Sequence, residues 1–332
     1  MYPARLACAA AALLALSAQG ATDPGLLLVA NKGDRTLSIV DAAQGVQVAA
    51  VAEDGITGHE VAASPDGRLA YVPIYGNSGV GQKGTDGRIM RVIDLSSRAI
   101  VGTVDFGAAV RPHKPVFGPR DGMLYVTTEL ERSITVIDPA TLRIVGSIPT
   151  GAEQSHMLAI TADGTRGYTA NVRPGSVSVL DMVHRTLVTK IPVSAVIQRI
   201  SVSVDGKWAF TADQTAARMA VIDTARNAVT RSIPLPGVGF GSTVIPDGSG
   251  LLVTLPALRM VALVDLAKMR VIRTIDVPKA PQEILVTPDS SVAYVSCDSA
   301  ARVAQIDLAS WRVTKLIDVG RIDDGLAWAP RG

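Results

Sequence analysis

The chain carries four histidines, and three of them stand in one repeated register. His59 lies seven residues ahead of Asp66, and His156 seven ahead of Asp163. His113 lies eight ahead of Asp121, because the turn Pro-Arg-Asp-Gly there holds one extra residue. Three neutral imidazoles converging from separate segments are a donor set for a divalent transition metal such as zinc, copper or iron, with one position open to solvent. Glu60 and Asp324 stand beside the same register and are the candidates for a general base or a carboxylate ligand, with Glu283 a third carboxylate nearby. Arg111, Lys114 and Arg199 could hold an anionic group, and Gln198 and Gln282 occupy the histidines' register in other segments as candidate ligand contacts. The competing reading of the histidines is that each bonds backbone and fastens a junction in the fold.

Such distant segments meet only if the fold repeats, and it does. An aspartate closing a Val-x-Asp-type strand recurs at Asp41, Asp94, Asp138, Asp181, Asp223, Asp265 and Asp307, in steps of 53, 44, 43, 42, 42 and 42. A second turn marker, Asp-Gly in most copies, falls at Asp66, Asp121, Asp163, Asp205, Asp247 and Asp289, in steps of 55 and then 42 throughout. Within one unit, residues 114–119, 123–128, 133–138 and 143–148 each alternate as short strands A, B, C and D. Four antiparallel strands in such a period predict one propeller blade. Residues 26–51 supply strands B, C and D with no A before them, and residues 324–330 supply an A with nothing after it. The expected fold is therefore all-β, a seven-bladed β-propeller of four-stranded antiparallel blades. Its ring is closed by the C-terminal strand joining the N-terminal strands, in a single domain over residues 21–332. The three histidines then fall in adjacent blades at the start of the innermost strand, near the central mouth. His184 falls in a C–D turn on the opposite face.

The unit resembles the YVTN (YncE-like) β-propeller family, in SPDGRLAYV (64–72), GYTANVRPGSVSVLD (167–181) and LLVANKGDRTLSIVD (27–41). The resemblance runs over essentially the whole chain after its first twenty residues. It implies a WD40-like propeller that binds a small ligand or a secreted protein at its mouth. Gly58-His59 is similar to the Gly-His pair of WD repeats, whose histidine holds a blade junction. The alternative, by analogy with related propeller enzymes, is a metal-dependent enzyme of lactonase or lyase type using His59, His113 and His156. The family motif consists of turn and core residues, so it implies fold and leaves activity open.

Residues 1–20 read as a secretory signal: Arg5 is the only charge, an apolar run covers residues 6–16, and Ala18-Gln19-Gly20 offers small residues for cleavage. The expected location is periplasmic or secreted, with no membrane-spanning segment after cleavage. Cys8 leaves with the signal, so Cys297 is a lone thiol, a candidate ligand or nucleophile unless it is a buried filler. The longest departure from the repeat is the glycine-rich segment 76–88, GNSGVGQKGTDGR, which reads as a substrate lid or a tolerated insertion. Its Gly79-x-Gly81-x-x-Gly84 matches a dinucleotide fingerprint only formally, because a strand and not a helix follows. A net charge of +2 gives no field for nucleic acid. Aromatic residues at 4% argue against stacking platforms for sugars or single-stranded nucleic acid.

Overall fold

The computed structural model describes residues 25–331, so the expected signal segment lies outside the described residues. Seven four-stranded sheets form a ring. The closing blade joins Asp323–Ala329 (strand A) to Leu26–Asn31, Thr36–Asp41 and Val46–Ala52 (B, C and D). Blade one is Ala62–Ala63, Leu69–Gly76, Asp86–Asp94 and Ala99–Asp105. Blade two is Pro112–Phe117, Leu124–Thr128, Ser133–Asp138 and Arg143–Pro149. Blade three runs from Ser155–Ile160 to Thr186–Pro192, and blade four from Ser201–Val202 to Ala228–Pro234. Blade five runs from Ser242–Val244 to Arg270–Asp276, and blade six from Pro281–Val286 to Arg312–Asp318. The ring closes as the repeat requires, with Leu26 opposite Ala329 and Leu28 opposite Ala327 in an antiparallel ladder.

Strands B and C are buried along nearly their whole length, Ser and Thr included, because neighbouring blades cover both of their faces. Leu28, Ile39, Val72 and Ile93, for example, pack the seam between the closing blade and blade one. Five of the thirteen aromatics fall at one repeated position of strand B, at Tyr71, Tyr125, Tyr168, Phe210 and Tyr294, all buried. Both repeated aspartates are turn formers. Asp41, Asp138, Asp181 and Asp307 each accept backbone N–H groups of their own C–D turn, and Asp163, Asp205 and Asp289 do the same in A–B turns. Strand D is the open edge of each sheet. In all seven blades its pairing with strand C shifts register at the same point, a bulge that twists the exposed edge.

Strand A differs most between copies. His113 and His156 sit inside regular strands, whereas His59 precedes the two-residue strand of blade one, in a segment that carries an isolated bridge between Gly58 and Ile74. The long insertion is shorter as a loop than expected: strands B and C of blade one extend to Gly76 and from Asp86, leaving residues 77–85 as the connection. Among the described residues no helix is long and apolar enough to cross a membrane.

Candidate functional site

The three histidines meet. The rings of His113 and His156 stack with centroids 3.6 Å apart and planes 26° from parallel, and His59 stands edge-on to His113 at 5.7 Å. Tyr75, next to last in strand B of blade one, stands among them at 4.6 Å from His59, 5.2 Å from His113 and 5.8 Å from His156. Tyr75, His113 and His156 are buried, and His59 is half-buried.

Polar bonds fix the cluster. Tyr75 Oη donates to Glu129 Oε2 at 2.6 Å. His156 Nδ1 lies 3.5 Å from the same oxygen and has no hydrogen bond of its own. His113 Nδ1 donates to the His156 carbonyl at 3.1 Å, which also accepts the Thr127 hydroxyl at 2.9 Å. Burial, reinforced by the charge of Lys32, depresses His59 to about 3. Burial and the adjacent imidazoles hold His113 well below its ordinary value. Both rings are therefore neutral at neutral pH. Burial works to raise Glu129, but the His156 imidazole, the Tyr75 hydroxyl and Arg111 outweigh it and hold the carboxyl below its usual range. Burial and the Glu129 charge push the Tyr75 phenol up. Tyr75 is thus fixed as donor and Glu129 as acceptor.

The imidazoles do not fit a metal as arranged. Two ligands bound at about 2.0–2.1 Å in tetrahedral geometry keep their ring centres on the order of 5 Å apart. A face-to-face stack at 3.6 Å cannot aim both rings at one ion. Among the described residues no group of three or more His, Cys, Asp or Glu side chains is placed to hold a metal ion.

The charged candidates form a second, separate assembly across the central channel. Arg199, from blade four, donates through Nη1 to Glu60 Oε1 at 2.9 Å and through Nη2 to Asp324 Oδ1 at 2.8 Å, and it also pairs with Glu283. Lys114 Nζ reaches Glu60 Oε2 at 2.8 Å and Glu283 Oε1 at 3.5 Å, and Lys32 Nζ reaches Asp324 Oδ2 at 3.0 Å. Three cations thus face three carboxylates drawn from five blades. Burial would raise Asp324, but Lys32 and Arg199 hold it below the usual carboxylate range. In this arrangement Glu60, Asp324 and Glu283 are counter-ions, and Lys114 and Arg199 are already occupied. The network caps a channel cavity of about 320 Å³ lined by Met157, Ile160, Val202, Ser242, Val244 and Ile284. Gln198 and Gln282 are half-buried nearby.

Cys297 packs in the core with Val295 and Ala304. Its thiol, pushed up to about 12 chiefly by burial, is a weak donor toward the Val295 carbonyl at 3.6 Å. This is the environment of an inert thiol.

Arg111 serves the insertion. Its Nε donates to Asp86 Oδ1 at 2.6 Å, its Nη2 to the Gln82 carbonyl at 2.5 Å, and its Nη1 lies 3.4 Å from Glu129 Oε1. The loop is folded on itself: Asn77 N–H bonds the Thr85 carbonyl at 3.1 Å, and the Asn77 side chain accepts Thr85 N–H at 2.7 Å. Gly87 is required where the hairpin narrows, since a Cβ there would stand 1.6 Å from the Ile74 carbonyl oxygen. Between this loop and blades two and three lies a cleft of about 530 Å³ lined by Gly81, Gln82, Arg111, Glu129, Arg132 and Gln154. One polar chain therefore runs from the loop through Arg111 and Glu129 to Tyr75 and the histidines.

Sequence reading missed Tyr75 and Glu129. Both sit one residue beyond the strand-B position that also gives Thr128 and Cys297, and Lys32 is the same position in the closing blade. The recurring end of strand B, at Asn31, Ile74, Thr128 and Cys297, was the available signal.

No family model and no curated protein matches the chain. Among solved structures, it is similar to the dihydro-heme d1 dehydrogenase NirN in complex with DHE, with a TM-score of 0.65 at 16% identity over 93% of this chain and 76% of that one. It is also similar to Kuenenia stuttgartiensis hydrazine synthase, with a TM-score of 0.54 at 25% identity over 59% of this chain. The match covers 63% of the hydrazine synthase chain, less than two thirds of its length. These likenesses are of fold, and the YVTN membership expected from the repeat is not among them. The chain is a seven-bladed β-propeller.

Proposed function

We propose that this propeller binds a small polar molecule on its mouth face, in the cleft under residues 77–85, and that it does so as an exported protein. The carrying observation is Arg111. Its guanidinium is buried beneath the loop and ties loop backbone and Asp86 to Glu129, which in turn anchors Tyr75 beside the histidine stack. The residues that depart from the repeat in blades one, two and three are thus joined in holding one loop over one cleft. An insertion tolerated only for want of selection needs no buried arginine beneath it. A concave site with a few convergent polar groups is the usual form of a small-molecule site. The export reading rests on the signal-like residues 1–20.

The test is native mass spectrometry of the untagged protein isolated from the periplasm of an expressing bacterium. The reading expects a bound small molecule, lost when residues 77–85 are replaced by the four-residue B–C turn 172–175 of blade three. Protein that is ligand-free under every growth condition, or a ligand retained undiminished by the loop replacement, contradicts it.

A further inference from the structure

The floor of the cleft holds a donor and an acceptor that are each only half used. Glu129 Oε2 takes the short bond from Tyr75, but Oε1, on the side of the loop, has only Arg111 Nη1 at 3.4 Å and Gly81 N–H at 3.5 Å. Charge-assisted N–H···O⁻ bonds are ordinarily about 2.7–2.9 Å. Arg111 spends Nε and Nη2 on bonds of 2.6 and 2.5 Å, so Nη1 is its underused donor. Both side chains are at least nine-tenths buried, where a poorly satisfied polar atom is costly. The lining charges cancel, with Lys83, Arg111 and Arg132 against Asp86, Glu129 and Glu153. A lone anion would meet Glu129, and a lone cation would meet Arg111.

Resting on the binding reading above, we infer that the cleft takes an uncharged ligand with an N–H and a C=O side by side, a carboxamide, lactam or cyclic imide edge. Its N–H donates to Glu129 Oε1 while its carbonyl accepts from Arg111 Nη1. Nη1 and Oε1 stand 3.4 Å apart, close enough for the adjacent C=O and N–H of one ligand edge to reach both, and neither group is then left unpaired. An acceptor-only or donor-only ligand satisfies one atom and strands the other.

Glu129→Gln gives the sharp test. Tyr75 needs an acceptor, so the amide oxygen of the variant stays on Tyr75 and its NH2 turns toward Arg111. The floor then offers two donors. Binding of 2-pyrrolidone and hydantoin is compared by saturation-transfer NMR with cyclopentanone, pyrrolidinium and cyclopentanecarboxylate. The wild-type protein is expected to bind the lactam and imide probes at least about tenfold more tightly than the three controls. In Glu129→Gln the order reverses in favour of the carboxylate. Equal binding of carboxylate or pyrrolidinium by the wild type, no binding by any probe, or an unchanged order in a folded Glu129→Gln protein overturns the ligand class. If the variant does not fold, the wild-type order alone decides. A small molecule in the native mass spectrum beside a silent panel removes only the ligand class, whereas the absence of both removes the binding reading as well.

Discussion

Tyr75 Oη donates to Glu129 Oε2 at 2.6 Å, joining strand B of blade one to the end of strand B of blade two. This bond connects the two parts of the site, the buried imidazole cluster and the cleft under the loop. Tyr75→Phe keeps the ring among the histidines and removes the donor. Glu129 Oε2 is then left with only His156 Nδ1 at 3.5 Å. The expected loss is about 1–3 kcal/mol of stability, the cost of stranding a buried acceptor, read by urea unfolding. Amide exchange in residues 77–85 should quicken in the same variant, because Glu129 also steadies Arg111. An unchanged unfolding midpoint would show that the bond carries no load.

Arg199 is the hub of the channel cap. Arg199→Met leaves Glu60, Glu283 and Asp324 facing one cation fewer in a buried setting, and is expected to cost about 3–5 kcal/mol. The double variant Arg199→Met/Glu60→Gln removes one charge of each sign and should recover part of that loss. Denaturant unfolding of both proteins checks this, and a mild single variant would mean that water reaches the cap and solvates it.

Cys297 is expected to stay unmodified by a thiol-reactive disulfide in the native protein and to react stoichiometrically once unfolded. Its thiol is pushed up to about 12 and fully buried. Rapid labelling under native conditions would return it to the mouth as a nucleophile.

Two groups give pH dependences of opposite sign. Asp323 is raised to about 7, chiefly by burial, so the native state holds a proton that the unfolded chain releases near the ordinary carboxylate value. Its contribution is present at low pH and is lost as pH rises through about 7. Asp323→Asn removes that dependence, so the Tm difference between variant and wild type should move in the variant's favour from pH 5 to pH 8. His113 is depressed by burial, so the unfolded chain takes up the proton first. Its contribution is present above the ordinary histidine value and is lost as pH falls below it. His113→Gln should flatten the acid side of the Tm profile. Either difference running the other way would contradict the burial of that group.

The architecture was legible because it is written in residues that do one local job seven times. The two aspartate markers form Asx-type turns, and their common period follows from one turn recurring at the same point of successive blades. The convergence of His59, His113 and His156 was legible for the same reason, since equal register in adjacent blades means proximity in a ring. Whether the imidazoles bind or stack was not, because that depends on side-chain rotation that register does not fix. The charged residues were read as groups near the mouth able to meet a ligand, and their pairing with one another was not legible. Sequence position cannot tell that Arg199 from blade four reaches Glu60 from blade one across the channel. Tyr75 was hidden by the extended strand before the insertion, which carries the hairpin past the ordinary end of strand B.

A crystal structure of the untagged protein, isolated without removing what it carries, decides whether the cleft is a binding site. Density for a small molecule is expected between Gln82 and Gln154, within hydrogen-bond distance of Arg111 Nη1 and Glu129 Oε1. An empty cleft with an ordered metal between His59, His113 and His156, or with a ligand in the channel beyond Arg199, would overturn this assignment.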